Sequence, residues 1–423
     1  MVYKTPFWYK LFFVVMEIFI PGMSVFSQTD VIFKGVLIST IENERVAYAS
    51  VSILFKPIGV VSNEQGEFKL HIPPQYSNDS VVVTCLGYQT CKKKVSEVNN
   101  DMIDTIKLVP EIYSLSEIVI TADLNKSLAD KIVKNAIKLI PENYCTKPFI
   151  IGGYYREYIK KNNEFINLLE AAVDIEDPGF GKKDYENSKL RLLQYRKNKN
   201  LQLDSSKLIN YDNYIHKYIP GAYINPMGGN ELSILRSHDP IRNYNRFSMS
   251  FINNFSKWFV RNHLLKLDSI SLFDGKSIYC ISFNTGYRIA DYIQDIYRVS
   301  GNIIIRSDNQ SIIKMMYTLF ANTNEGELKL YEMKVEYKEY RKKMYLNYLL
   351  FENYFETKFK KETQAQYQYR EFFVNNILPD RFKPISQEEA LSKKTPLFEN
   401  KTVDDPNFWK HYNHFLSRPL LEE

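Results

Sequence analysis

Between residues 31 and 121 the chain breaks into short apolar runs separated by turn signals every eight to twelve residues, the spacing of an antiparallel β-sandwich. Val51, Ile53 and Phe55 recur at period two, which places them on one face of a strand. Asn63-Glu64-Gln65-Gly66 reads as a turn in which Gly66 supplies the backbone freedom of a tight reversal. Phe68, Leu70 and Ile72 alternate on the next strand, and Pro73-Pro74 ends it because proline has no N–H to give to a ladder. Val81 to Thr84 and Ile103 to Leu108 read as further strands, with Gly87 marking a second turn.

The order of these pieces resembles a known family. Gly35-Val36, Ala47 to Ile53, Val60 to Phe68, Leu86-Gly87-Tyr88 and Leu115-Ser116-Glu117-Ile118-Val119 together resemble the carboxypeptidase-regulatory-like domain abundant in exported proteins of Bacteroidetes. The resemblance implies an immunoglobulin- or prealbumin-like sandwich fused to a further domain, and no catalytic group. Zinc carboxypeptidases need a His-x-x-Glu pair and a distant His, because an open zinc site takes three protein ligands and a water. None of the six histidines here has Glu three residues on, so peptidase activity does not carry over.

The first 27 residues read as an export signal: Lys4 and Lys10, an apolar run from Leu11 to Met23, then Val25-Phe26-Ser27 before a cut ahead of Gln28. That run is too short to span a bilayer, and no later stretch reaches the roughly 18 apolar residues of a membrane helix. The expected location is the periplasm or the outer membrane, not the cytoplasm. The formal charge of +6 is spread among interspersed acids, which argues against a nucleic-acid partner. The densest basic stretch, Lys182 to Lys199, reads as a solvated loop or sheet edge, with contact to an anionic envelope surface as the alternative. Export permits disulfides among the cysteines at 85, 91, 145 and 280, and Cys85 and Cys91 straddle Gly87-Tyr88, making them the candidate pair. No C-x2-C spacing offers a zinc site.

A mainly β chain is expected: signal peptide 1–27, sandwich 28–121, linker helix 122–145, an antiparallel domain 146–377 built as a curved sheet or half-barrel with a few packing helices, and a tail 378–423. In the linker, Leu128, Ile132, Val133, Ala136, Ile137 and Ile140 recur at helical spacing, with Ser127 and Asp130 as a capping box and Pro141 as the stop. Seven strands are expected, at Ile150–Lys160, Phe165–Ile175, Ser277–Asn284, Gly301–Arg306, Ile312–Ala321, Leu328–Tyr340 and Met344–Phe355. Phe247 to Leu264 reads as helical, with Phe251, Phe255, Trp258 and Phe259 on one side. Asp404 to Trp409 opens a short final helix whose Phe408, Trp409, Tyr412 and Phe415 dock on the body. Ser277–Phe283, Tyr297–Ile305 and Asp308–Ile313 resemble the second half of the LolA-like fold of periplasmic lipoprotein-handling proteins, and domains of unknown function that follow the regulatory-like module. That resemblance implies an incomplete barrel closing over helices around an apolar cavity.

Few constellations could carry chemistry. His411-x-x-His414 would set two imidazoles on one helix face but lacks a third ligand nearby. No nucleophile elbow, P-loop or Gly-x-Gly-x-x-Gly occurs. Glu157, Glu164, Glu170, Asp174 and Glu176 cluster along two strands joined at Lys161-Asn162-Asn163, and two facing carboxylates would suit a glycosidase. A charged strand face explains them equally. No cofactor or metal site is expected. The reading is a non-catalytic binding or scaffold protein of the cell envelope, its larger domain holding an apolar or extended ligand, with envelope proteins, lipid or glycan as partners. The alternative is an envelope hydrolase acting on glycans or peptides. A TonB-dependent receptor is excluded, because the chain is too short for a plug and a 22-strand barrel.

Overall fold

The computed structural model describes residues 30–41, 43–111, 122–161, 164–165, 168–182, 187–197, 230–244, 255–290, 293–323, 326–359, 362–379, 383–393, 395, 397–400 and 403–416. The export signal, Leu115–Val119 and Phe251 lie outside them.

Seven strands form two small sheets. They are β1 (Val31–Ser39), β2 (Ser50–Ile53), β3 (Gly59–Val61), β4 (Glu67–Ile72), β5 (Ser80–Thr84), β6 (Cys91–Lys94) and β7 (Ile103–Leu108). One sheet is ordered β4-β1-β7, with β1 and β7 parallel, and the other β3-β2-β5-β6. Val51, Ile53, Phe68, Leu70, Ile72, Val81 and Val83 are buried between them, as period two requires. Phe55 departs from its expected face: β2 ends at Ile53, the chain turns, and Phe55 stands 86% exposed. Both expected turns form. Gly66 has φ +70 and Gly87 φ +85, and a Cβ on Gly66 would lie 2.7 Å from the Leu37 carbonyl.

Two helical pieces follow, α1 (Ala122–Lys138) and α2 (Ile140–Asn143). The periodic residues Ile132, Val133, Ala136, Ile137 and Ile140 are buried. Ser127 is not a cap, since the helix begins five residues earlier. Pro141 does not simply stop it either; it sits in the first turn of α2, where its missing N–H costs nothing.

The large sheet is built from β8 (Phe149–Lys161), β9 (Glu164–Phe165), β10 (Leu169–Asp177), β11 (Lys189–Lys197), β12 (Leu264–Phe273), β13 (Lys276–Ala290), β14 (Ile293–Arg306), β15 (Ile312–Thr323), β16 (Gly326–Tyr340), β17 (Lys343–Phe359) and β18 (Glu362–Leu378). Its order is β11-β10-β8-β18-β17-β16-β15-β14-β13-β12, with β9 beside β8. Every pairing is antiparallel, and the sheet is not closed into a barrel. The described part of the basic stretch 182–199 supplies the edge strand β11, where Arg191 and Arg196 pair with Asp174 and Glu170 of β10.

Between β11 and β12 lie α3 (Glu231–Ser237) and α4 (Lys257–Asn262). The helix expected over 247–264 is confined to α4 among the described residues: Ser256 caps it, and His263 leaves in an extended conformation that feeds β12. Phe255 and Phe259 are buried, but Trp258 is 47% exposed, so the aromatic stripe is split between core and solvent. Asp177 anchors the segment after α3, accepting from Arg236 at 2.5 Å and from Arg242 at 3.0 and 2.8 Å. No described helix is long and apolar enough to cross a membrane.

The final helix α5 (Pro406–His411) is capped by Asp405, and the strap after it docks as its aromatic content required. Trp409 and Phe415 are buried with Tyr154, Tyr348 and Phe373 of the sheet, in a cluster continuous with the sandwich core. Asn413 bridges the two bodies: its Oδ1 accepts from the His71 amide at 2.7 Å, while its carbonyl accepts from Asn375 Nδ2 at 3.1 Å.

Candidate functional site

Strand alternation sorts the large sheet into two unlike faces. Tyr155, Val173, Ile281, Met315, Val335 and Phe351 enter the apolar core that includes buried residues of α1, α3 and α4. The opposite face meets the sandwich and the strap. Across it the register aligns Lys334, Leu350, Glu371, Arg156, Glu170 and Arg196, a row in which charge alternates over its last four members, Glu371 to Arg196.

Part of that face is a closed, buried joint. Arg156 forms an ion pair with Glu371, both buried, and the Tyr348 hydroxyl donates to Glu371 at 2.6 Å. Tyr154 donates to Glu170, which also accepts from Arg196 at 2.7 and 3.0 Å. Burial opposes ionisation of Glu170, but the Arg196 guanidinium outweighs it and holds the carboxyl below its ordinary range. The Arg156 and Arg196 guanidinium groups lie over Phe415 at 4.1 Å and Trp409 at 4.3 Å.

This geometry separates the candidate carboxylates. Glu170 is on the sandwich side, whereas Glu157, opposite Leu169 on the neighbouring strand, is on the helix side, accepting from the Tyr155 hydroxyl at 2.9 Å and Arg370 at 3.1 Å. A pair on opposite faces cannot flank one substrate. Asp174 pairs with Arg191 at 2.6 Å, and Glu176 accepts from the Ile385 amide at 2.6 Å. The Glu164 side chain lies outside the described residues. His411 and His414 do not share a helix face, because α5 ends at His411; the ring beside His411 is His71 of β4, 6.3 Å away. Among the described residues no group of three His, Cys, Asp or Glu side chains could hold a metal ion. The bridge considered for Cys85 and Cys91 is not formed here. Cys91 pairs across the β5–β6 ladder with Val83, and both cysteines are free thiols.

Away from the buried joint, the sandwich and the sheet part to leave a cleft of about 680 Å³. Its walls differ. The sandwich wall, drawn from residues 47–56 and 82–86, includes Ile53, Phe55, Val82 and Leu86 and carries one charge, Lys56. The sheet wall carries seven lysines and arginines against Asp274, Glu336 and Glu339. Glu336 is shared by Lys314 at 2.9 Å and Lys334 at 3.5 Å. Burial opposes its ionisation, yet those two ammonium groups keep it a carboxylate. Arg306 is tied to Asp308 and Glu339. Lys338 has no carboxylate partner among the described residues: its ammonium donates to the Val374 carbonyl at 3.3 Å, and burial pushes its pKa down to about 8.

Backbone strain gathers at the same place. Seven described non-glycine residues have left-handed φ, and five of them line this cleft: Tyr48, Phe55, Asp274, Arg341 and Lys342. Arg341 and Lys342, with φ +50 and +61, are the two-residue turn between β16 and β17. Asn-Gly suits such a turn far better than two long cations. Strain of this kind concentrates where a site needs particular side chains. Nothing local in the sequence marks these residues as a group, because the walls come from segments about two hundred residues apart or more.

Comparison with curated proteins yields no match. Among solved structures the chain is similar to a LolA superfamily protein from Nitrosomonas europaea, at 10% identity, TM-score 0.24, over 60% of this chain and 94% of that one. It is also similar to a DUF1329 family protein from Desulfovibrio piger, at 7% identity, TM-score 0.26, over 62% of this chain and 95% of that one. Residues 33–120, which hold six of the seven strands of the two small sheets in full and most of β1, match the family model of the CarboxypepD_reg-like domain.

Proposed function

We propose that this chain is an exported, non-catalytic envelope protein that holds an anionic amphiphile, an apolar chain with an acidic head, in the cleft between sandwich and sheet. The pairing of unlike walls carries the reading: a nearly uncharged wall with Ile53, Phe55, Val82 and Leu86 faces one dominated by cations. The apolar chain lies along the sandwich and the acidic head against Lys338 and its neighbours. This moves the ligand from the interior of the larger domain, where the sequence pointed, to the junction. Among the described residues, Tyr317, Tyr331 and Phe351 are buried on the face of the sheet that belongs to the same core as α1, α3 and α4.

A hydrolase would need two carboxylates free to work across the cleft. Glu336 is neutralised by two lysines and Glu339 by Arg306, which favours binding over turnover. The reading is tested by purifying the protein from its own envelope and analysing a solvent extract by mass spectrometry. A stoichiometric acidic amphiphile, lost from the K314Q/K338M variant, is the expected result. Recovery of a neutral ligand would overturn the acidic head, and recovery of none would leave a scaffold role.

A further inference from the structure

The outer surface of the helical layer has a composition that the cleft does not explain. At 100° per residue, Leu124, Ser127, Lys131, Lys134 and Lys138 form one stripe of α1, opposite the buried Ala129, Ile132, Val133 and Ala136. All five stripe residues are exposed, and Leu124 is 60% so. Lys126 joins Lys131 and Lys134 around a shallow depression beside the stripe. Packed next to α1, and like it against β12, is α4. Its exposed residues are Lys257, Trp258, Arg261 and Asn262, with Lys257 at 5.9 Å and the Arg261 guanidinium at 4.9 Å from the centre of the exposed indole. The exposed faces of these two adjoining helices thus carry six cations, a tryptophan and a leucine. Asp130, at the rim of the depression, is the one acid among the residues that line it.

We propose that this α1–α4 face docks the protein on an anionic phospholipid surface. The chemistry fits that partner. Basic side chains are drawn to acidic headgroups, an indole prefers the headgroup level, and an exposed leucine adds apolar contact just below it. Neither helix inserts deeply, because the rest of each is committed to the core. The association is peripheral and electrostatic, and salt weakens it.

The test is co-sedimentation of the full chain with vesicles of phosphatidylcholine alone or with one quarter phosphatidylglycerol, monitored also by tryptophan emission. Binding is expected only to the anionic vesicles, with emission moving to shorter wavelength, and with release as salt is raised from 0.1 to 0.5 M. Each lysine near such a surface is worth about fivefold in partitioning, so K131Q/K134Q is expected to bind about thirtyfold more weakly. In the chain processed ahead of Gln28, which has lost Trp8 and buries Trp409 in the strap, W258F is expected to abolish the emission shift. K314Q/K338M, which alters the cleft alone, is expected to bind vesicles as the parent does. Undiminished binding by K131Q/K134Q, equal binding to neutral vesicles, or no binding to the anionic ones would each overturn the proposal.

Discussion

Tyr48 of the sandwich stacks on Tyr348 of the large sheet, ring centroids 5.9 Å apart, and the Lys334 ammonium lies over both rings at 4.9 and 5.5 Å. Tyr348 in turn donates to Glu371, the partner of Arg156, while Tyr48 lines the cleft. One contact therefore belongs both to the buried joint and to the cleft.

Removing one half of the buried pair tests the joint. Arg156→Met leaves the Glu371 carboxylate buried without its cation, and the expected loss is about 3–5 kcal/mol in urea unfolding. Arg156→Met with Glu371→Met is expected to recover most of it, because an apolar pair does not strand a charge. A double variant no more stable than the single one would mean that the ion pair does not govern this joint.

Phe68 packs edge-to-face on Phe33 at 5.0 Å and covers Gly35, where a Cβ would approach its ring to 2.6 Å. Phe68→Ala is expected to cost about 3–5 kcal/mol in the same assay. A loss below about 1 kcal/mol would place Phe68 outside the core.

The Arg341-Lys342 turn separates stability from function. Replacing it by Asn-Gly relieves two left-handed residues, each worth about 1–2 kcal/mol, less the greater chain entropy of an unfolded glycine. Thermal unfolding is expected to rise by a few degrees while affinity for an acidic amphiphile falls. A variant both less stable and equally tight would show that the turn serves the fold rather than the ligand.

Lys338 makes a pH prediction. Its folded pKa is about 8, below the roughly 10.4 of an unfolded lysine. Between those values the unfolded chain holds the extra proton, so stability rises with pH across that window and does not respond to this group below it. Affinity for an anion moves the other way, falling as the ammonium is lost. Unfolding and binding measured from pH 7 to 9.5 are expected to show opposite slopes, each reduced in Lys338→Met.

Local pattern carried much of the fold and little of the site. Phe68, Leu70 and Ile72 are legible because they alternate with the polar residues Glu67, Lys69 and His71 along β4. Edge strand β11 hides its alternation under lysines and arginines, and β18 begins with a polar run, Glu362-Thr363-Gln364, that resembles a loop. Leu264 to Phe273 was obscured by the aromatics before it, which suggested a longer helix than Ser256 and His263 permit. The joint was unreadable for another reason. Arg156 and Glu371 are 215 residues apart, and only the pairing of β8 with β18 makes them neighbours.

The most direct measurement of the central claim is a fluorescence titration of the whole protein with 11-(dansylamino)undecanoic acid, with myristate and myristyl alcohol as competitors. Saturable binding at one site is expected, displaced by myristate and at least tenfold less well by the alcohol, and weakened at least tenfold in K314Q/K338M. Equal displacement by acid and alcohol, or full affinity in that variant, would contradict a cleft that reads an acidic head.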